Sequence, residues 1–327
     1  MTGIDPISFE GVRCYPLHER KSTVRVEHFA RPWRPGGSFS RWLEFLPEIL
    51  AAKDFISVAS EISDAAEAGK TVLLAMGAHP VKVGIGPVII ELMREKVLTG
   101  IAMNGACAIH DTEVAMAGHT SEDVAASIDC GRFGMAEETG SFINEAIAGA
   151  AGKNQGLGIS LGEMLRARGF AHNRTSILAS AHELGVPVTV HVAIGTDIIH
   201  MHPSADGAAT GAASHLDFRL FARMVSSLDQ GVYINLGSAV VMPEVFLKAL
   251  SAVRNLGYQV GELTTVNMDF IKQYRPMTNV VTRPTQHGGK GYNLVGHHEI
   301  MFPLLAAAIL EFLGRRKKAA GGDSERA

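Results

Sequence analysis

The sequence predicts an α/β protein with a Rossmann-like parallel sheet flanked by helices on both faces. Three observations predict it. Short, nearly continuous apolar runs of strand length recur along the chain, segments with helical spacing alternate with them, and several runs close on glycine or asparagine. Strands buried on both faces lose the inside–outside alternation of half-exposed ones. Parallel neighbours also need long crossovers, which helices supply.

The elements follow in order. Residues 1–38 have irregular periodicity and contain Arg31-Pro-Trp-Arg-Pro-Gly-Gly37, which predicts an arm or linker. Residues 39–318 are expected to form a single α/β nucleotide-binding domain. Phe39–Gly69 has helical spacing, with Ser40 as a candidate N-cap. Thr71-Val-Leu-Leu-Ala-Met76 is the first strand, closed by Gly77, and Val81–Lys96 is helical. Gly100-Ile-Ala-Met103 is the next strand, closed by Asn104-Gly105. A stretch near 120–169, rich in Gly, Ala and Glu, predicts a helical insertion. Thr175–Leu184 is then helical and leads into the strand Val186–Val192. Val232-Tyr-Ile-Asn-Leu236 closes with Gly237, Pro243–Leu256 is helical, and Glu262–Asn267 is a further strand. Met301–Leu313 predicts a buried C-terminal helix, and residues 319–327 a disordered tail.

Composition narrows the function. The chain has 327 residues, 46% of them hydrophobic, enough for a large core. Its formal charge of −3 and lack of a basic stripe argue against a nucleic-acid groove. The three cysteines, Cys14, Cys107 and Cys130, have the spacing of neither a disulfide framework nor a zinc ribbon. A reducing, cytoplasmic setting is the expectation. No secretory leader is visible in the polar first 35 residues, and Met301–Leu313 is too short to span a bilayer. The basic run Arg315–Lys318 falls where a helix C-terminus favours cations; a membrane-surface role is the alternative.

Ligands of such sheets bind outside the carboxyl ends of the strands. Small residues crowd those ends at Gly77-Ala-His79, Asn104-Gly105 and Gly237-Ser238. Glycine allows backbone amides to approach a phosphate, and a following helix adds its positive end. None of these loops matches G-x-G-x-x-G or Walker A, so each is either a tight turn or part of a nucleotide cradle. In His287-Gly-Gly-Lys-Gly-Tyr292, Lys290 is either a solvated loop lysine, a phosphate contact or, with a lowered pKa, an imine-forming amine. Of fourteen histidines, His200 with His202 and His297 with His298 admit a metal reading, the first pair sharing one face if the segment is a strand. No H-E-x-x-H motif accompanies them. Asp197, Asp206, Asp111 and Glu113 are candidates for holding a ribose hydroxyl or an ammonium, or for capping helices.

Four stretches in this order resemble the deoxyhypusine synthase family. Asn104-Gly-Ala-Cys-Ala-Ile-His-Asp111 is similar to its strand-end Ala-Gly-Gly-(Ile/Val)-Glu-Glu-Asp. Ser176–Val188 with Gly195-Thr-Asp-Ile-Ile199 resembles its helix, Ile-Pro-Val strand and Gly-Asp-Met-Ile. Leu236-Gly-Ser-Ala-Val-Val241 resembles Leu-Gly-Gly-Gly-Val-Val. Gly288-Gly-Lys-Gly291 with Met301-Phe-Pro-Leu-Leu305 resembles Trp-Gly-Lys and Val-Phe-Pro-Leu-Leu. The resemblance implies a deoxyhypusine-synthase-like fold, NAD as cofactor, a homotetramer, and transfer of an amine fragment through a lysine imine. It carries Lys290 to the position of that lysine, Asp197 to a pocket aspartate, His110 to the second glutamate of Glu-Glu-Asp, and His297 to an aspartate near the adenine. Gly77, Ala78, His79, Asn104, Gly105, Gly237, Ser238, His297 and His298 are then the cofactor-side candidates, and Lys290, Asp197 and His110 the catalytic ones.

The departures set the substrate expectation. Gly288 stands where the family has tryptophan, Met242-Pro243 where it has a histidine pair, and Thr278-Asn-Val280 where it has Ser-Asp-Ser. The expected activity is therefore an NAD-dependent transferase of this type acting on a small, less cationic substrate. The alternatives are a genuine deoxyhypusine or homospermidine synthase, a non-catalytic nucleotide-binding protein, and a metal-dependent hydrolase built on His200, His202, His297 or His298.

Overall fold

The computed structural model describes residues 3–322, with side chains to residue 316. It divides into two compact units, one ending at Lys53 and the other beginning at Asp54.

In the first unit, residues 3–29 are mostly exposed and carry two single 3-10 turns, Leu17–Glu19 and Val26–His28. A short helix α1 (Phe39–Leu43) follows. Its N-cap is Ser38, whose side chain accepts from the Arg41 amide, rather than the expected Ser40. The predicted Phe39–Gly69 helix is broken before α2 (Leu50–Glu67), where Pro47 precedes Leu50, at φ +47°. Proline removes an amide and disfavours helix in the residue before it, so helical periodicity does not continue through this bend.

The second unit holds a parallel six-stranded sheet: β1 (Val72–Met76), β2 (Gly100–Asn104), β3 (Val188–His191), β4 (Val232–Leu236), β5 (Thr264–Asp269) and β6 (Lys290–Val295). Its order is β3-β2-β1-β4-β5-β6, and every adjacent pair is parallel. All residues of β1, β3, β4 and β5 are buried; β1 is wholly apolar and β4 nearly so, while β3 and β5 also bury polar side chains such as Thr189, His191, Asn267 and Asp269.

Helices α3 (His79–Lys82) and α4 (Gly86–Arg94) follow β1, and α5 (Gly105–Ala117) follows β2. The long crossover to β3 then carries α6 (Val124–Ser127), α7 (Glu137–Gly152), α8 (Leu157–Arg168) and α9 (Ile177–Leu184). Helix α10 (Gly207–Val225) precedes β4, α11 (Val241–Asn255) follows it, α12 (Tyr274–Pro276) follows β5, and α13 (His298–Gly322) ends the described chain. The helical backbone thus continues four residues into the tail predicted from Ala319; residues 323–327 lie outside the described residues.

One face of the sheet packs Leu73, Tyr233 and Ala102 on Phe221 of α10 and on Phe246, Ala249 and Leu250 of α11. The Tyr233 and Phe246 rings stack with centroids 3.7 Å apart. Two buried aspartates fasten helices. Asp111 accepts from Ser176 Oγ at 2.6 Å and from the Ile177 and Leu178 amides at 2.7 and 2.9 Å, so it caps α9 from outside. Of its two sequence readings, the capping one holds. Asp217 Oδ2 accepts from the amides of Gly158 in α8 and Val190 in β3, at 3.0 and 2.8 Å. Arg316 of α13 pairs with Asp64 and Glu67 of α2 at 2.6 and 3.0 Å, which draws part of the basic C-terminal run into the fold. Among the described residues, no helix is long and apolar enough to cross a membrane.

Candidate ligand site at the carboxyl edge of the sheet

The strand order reverses between β1 and β4, because the chain winds outward to β2 and β3 and then returns to the other side of β1. Adjacent loops leave such a reversal in opposite directions and open a crevice at the strand ends. Gly77 and Gly237 line that reversal. A Cβ on Gly77 would lie 2.3 Å from the Gly237 carbonyl oxygen, so only glycine permits this backbone approach. Gly237 has φ +62°, and a Cβ there would meet the His298 ring at 2.8 Å. The Gly77 amide donates to Leu236 O and the Gly237 amide to Met268 O, both extending the sheet ladder. The Ser238 side chain accepts from the Met242 amide at 3.1 Å and so helps start α11.

An aromatic cluster caps this edge. His79 at the start of α3 lies 5.1 Å from the His298 ring and 5.6 Å from Phe270, centroid to centroid. His298 is buried at the start of α13; its Nε2 lies 3.3 Å from Met268 O, and its Nδ1 has no partner. Burial holds its pKa below the ordinary histidine value, although Asp269 opposes this. His297 is exposed and lies near Glu299, outside this cluster.

A second group of residues lies beyond β2 and β3 and opens on a cavity of about 860 Å³. Asn104 caps α5 by accepting from the Cys107 amide at 2.9 Å. Gly105 follows it, and a Cβ there would lie 2.1 Å from Asp197 Oδ2. Asp197 lines the cavity, and burial pushes its carboxyl above the usual range against the opposing influence of His200 and His110. His110 and Glu113 project from one side of α5, and the chain turns at Gly118 (φ +74°) to bring Thr120 back to them. His110 Nδ1 lies 2.6 Å from Thr120 Oγ1, which donates to Glu113 Oε2 at 2.5 Å; Thr139 donates to Glu113 Oε1 at 3.1 Å. Burial would raise the Glu113 pKa, but the interactions with His110, Thr120 and Thr139 outweigh it and hold the carboxyl below its ordinary value. Lys82, at the end of α3, also lines the cavity and links it to the β1 loop.

The structure therefore gathers Asp197, His110, Asn104 and Gly105 around or beside one cavity, and Gly77, Ala78, His79, Gly237, Ser238 and His298 at the β1/β4 reversal. Lys290 joins neither group. It is the first residue of β6, not a loop residue, and it pairs in register with Thr264 at the amino end of β5. Asp197 follows the carboxyl end of β3, so within one chain the sheet separates the two. The Lys290 ammonium pairs with Glu61 of α2, which holds its pKa above the ordinary value, opposite to what an imine-forming lysine needs.

The histidine expectations also change. His200 lies in a 3-10 turn (Ile198–Met201), where its Nδ1 accepts from the Gly195 and Asp197 amides. The His200/His202 strand geometry is therefore absent, and these residues follow β3 while His297 and His298 follow β6, the two opposite edge strands. Among the described residues, no group of three or more His, Cys, Asp or Glu side chains converges as a ligand set. Glu122, Thr120, Thr139, Glu138 and Lys82 are cavity residues that local sequence does not single out. The i, i+3 spacing of His110 and Glu113 is the one local signal of the arrangement, and it becomes readable only once Gly105–Ala117 is known to be helical.

No family model matches the chain, and no curated protein matches it. Solved structures match at the level of fold. A conserved candidate LOR/SDH protein from Methanococcus maripaludis S2 aligns with TM-score 0.52 and 14% identity over 81% of this chain and 69% of that one. AgrE in ternary complex with ornithine and NAD+ aligns with TM-score 0.51 and 14% identity over 80% of this chain, which spans about a third (33%) of AgrE. A candidate deoxyhypusine synthase from Entamoeba histolytica aligns with TM-score 0.50 and 12% identity over 86% of this chain and 96% of that one. The chain thus has a Rossmann-like α/β fold distantly related to that of deoxyhypusine synthase.

Proposed function

We propose that the protein is an NAD-dependent enzyme that binds the dinucleotide at the β1/β4 reversal and a small amine in the adjoining cavity. The observation that carries this reading is the close Gly77–Gly237 approach at the reversal of a β3-β2-β1-β4-β5-β6 sheet. A dinucleotide's pyrophosphate suits such a backbone surface at the start of a helix, here α11. The fit is less complete at the ribose, because Asn104 ends β2 where a dinucleotide fold often supplies a carboxylate, and its side chain already caps α5. The rings of His79, Phe270 and His298 pack edge to face or tilted into an aromatic cluster beside the glycines. When bound, NAD supplies a two-electron acceptor.

Substrate class follows from the cavity lining. Glu113, Glu122, Glu138 and Asp197 outnumber Lys82, which favours a substrate bearing an amino group. The replaced family motifs support an amine of lower charge than a polyamine. In this reading Asp197 holds the amine and His110 exchanges its proton. The lysine-imine step is left out of this reading, because Lys290 sits at the amino edge beside Glu61. Genuine deoxyhypusine synthase chemistry is correspondingly disfavoured.

Thermal unfolding with NAD+, ADP-ribose and a panel of small amines tests the reading. Ligand at about 100 times its Kd adds about 2.7 kcal/mol. Stabilisation by NAD+ and by ADP-ribose, enhanced by an amine, is expected. No stabilisation by either nucleotide would overturn it.

A further inference from the structure

We propose that Thr120 and Glu113 are positioning residues that hold His110 in the tautomer whose Nε2 lone pair faces the cavity, so that the ligand group opposite it is a hydrogen-bond donor. The inference rests on the reading of the cavity as the substrate site. It follows from counting protons. A hydroxyl has one hydrogen to donate. Thr120 gives that hydrogen to Glu113 Oε2, 2.5 Å away, and the carboxylate has none to return. The 2.6 Å contact between Thr120 Oγ1 and His110 Nδ1 must therefore use an Nδ1–H donor. Glu113 is 3.7 Å from Nδ1, too far for a direct hydrogen bond, so the threonine is the necessary intermediary. Thr139 occupies the other Glu113 oxygen at 3.1 Å and fixes the carboxylate plane.

Neutral imidazole with Nδ1–H carries its lone pair on Nε2. His110 lines the cavity, and its contacts with Thr120 and Glu113 both use Nδ1. When a ligand ammonium gives up a proton there, its N–H bond breaks, the electron pair stays on nitrogen as the lone pair of the neutral amine, and an Nε2–H bond forms. The imidazolium charge is then balanced through Thr120 by ionised Glu113. A ligand offering only acceptors would leave Nε2 facing a lone pair.

Nitrogen NMR of the imidazoles in the ligand-free protein reads the tautomer directly. Neutral His110 is expected as Nδ1–H in the wild type and in Thr120→Ser, which keeps the hydroxyl. Thr120→Val and Glu113→Gln are expected to give a mixture or the Nε2–H form. An Nε2–H wild type, or an unchanged tautomer in Thr120→Val, would overturn the proposal. Titration then separates ligand classes: ethanolamine, a donor, is expected to move the wild-type His110 Nε2 resonance, and acetate to leave it in place. The reverse order, or no response to ethanolamine, would also overturn it. The tautomer needs neither dinucleotide nor substrate, so failure of NAD+ to bind would strike the cofactor reading alone.

Discussion

Asp197 and Gly105 are in direct contact: a methyl group added to Gly105 would lie 2.1 Å from Asp197 Oδ2. The contact joins the end of β3 to the start of α5 and sets where the cavity carboxylate stands. The obstructing atom is the tip of a side chain, so the fold can accommodate alanine while the carboxylate cannot keep its place. Gly105→Ala is predicted to change stability by no more than about 1 kcal/mol, the scale of the glycine-to-alanine helix preference. Amine binding in the cavity is predicted to weaken while NAD+ binding is retained. Parallel thermal and calorimetric measurements check both; equal weakening of the two ligands would contradict the separate placement of amine and dinucleotide.

Asp217 gives the fold a pH dependence of defined sign. Burial pushes its carboxyl up to about 7 from an ordinary 3.8, in spite of the amide hydrogen bonds that favour ionisation. Between those values the native state holds a proton that the unfolded chain has lost. Its contribution is therefore fully present below the unfolded value and is lost as pH rises through 7. Oδ2 accepts from the Gly158 and Val190 amides and Oδ1 has no partner, so asparagine can reproduce the protonated form. Asp217→Asn is predicted to flatten the fall in stability across this window and to raise stability above it, by an amount on the order of a few kcal/mol. Denaturant titrations at several pH values check this; an unchanged slope would place the dependence elsewhere.

Lys290→Ala is predicted to alter stability by less than about 1 kcal/mol, because the Glu61 pair is partly exposed, at 59% and 27% for the two side chains. NAD+ and amine binding are predicted to be unchanged. Loss of turnover in a protein that still binds both ligands would instead mean that this lysine serves a site assembled from more than one chain.

The sequence carried the sheet well and the site poorly, for physical reasons. Val72–Met76 and Val232–Leu236 are buried on both faces, and that leaves an apolar signature in the chain itself, interrupted only at Asn235. Gly77 and Gly237 were legible as strand-closing glycines, but their mutual approach depends on β1 pairing with β4, some 160 residues later, which no local pattern encodes. The glycines flanking Lys290 imitate a loop in the sequence. In the structure they permit close packing: a Cβ on Gly289 would meet Leu263 O at 2.5 Å and one on Gly291 would meet Val281 O at 2.2 Å. His200 and His202 were compatible with a strand by spacing, but Gly195-Thr-Asp197 turns the chain before them. The His110–Thr120–Glu113 arrangement was hidden because it depends on the turn at Gly118, whose direction periodicity does not report.

Calorimetric titration of NAD+ against the wild type and Gly237→Ala most directly tests the central claim that a dinucleotide sits at the β1/β4 reversal. Alanine at φ +62° costs about 1–2 kcal/mol of folding free energy and leaves the fold standing, while its methyl pushes on His298 and reshapes the Gly237-Ser238 turn. The account predicts saturable one-to-one binding to the wild type and at least roughly tenfold weaker binding to the variant, about 1.4 kcal/mol. Absence of NAD+ binding to the wild type, or equal affinity in the two proteins, would contradict it.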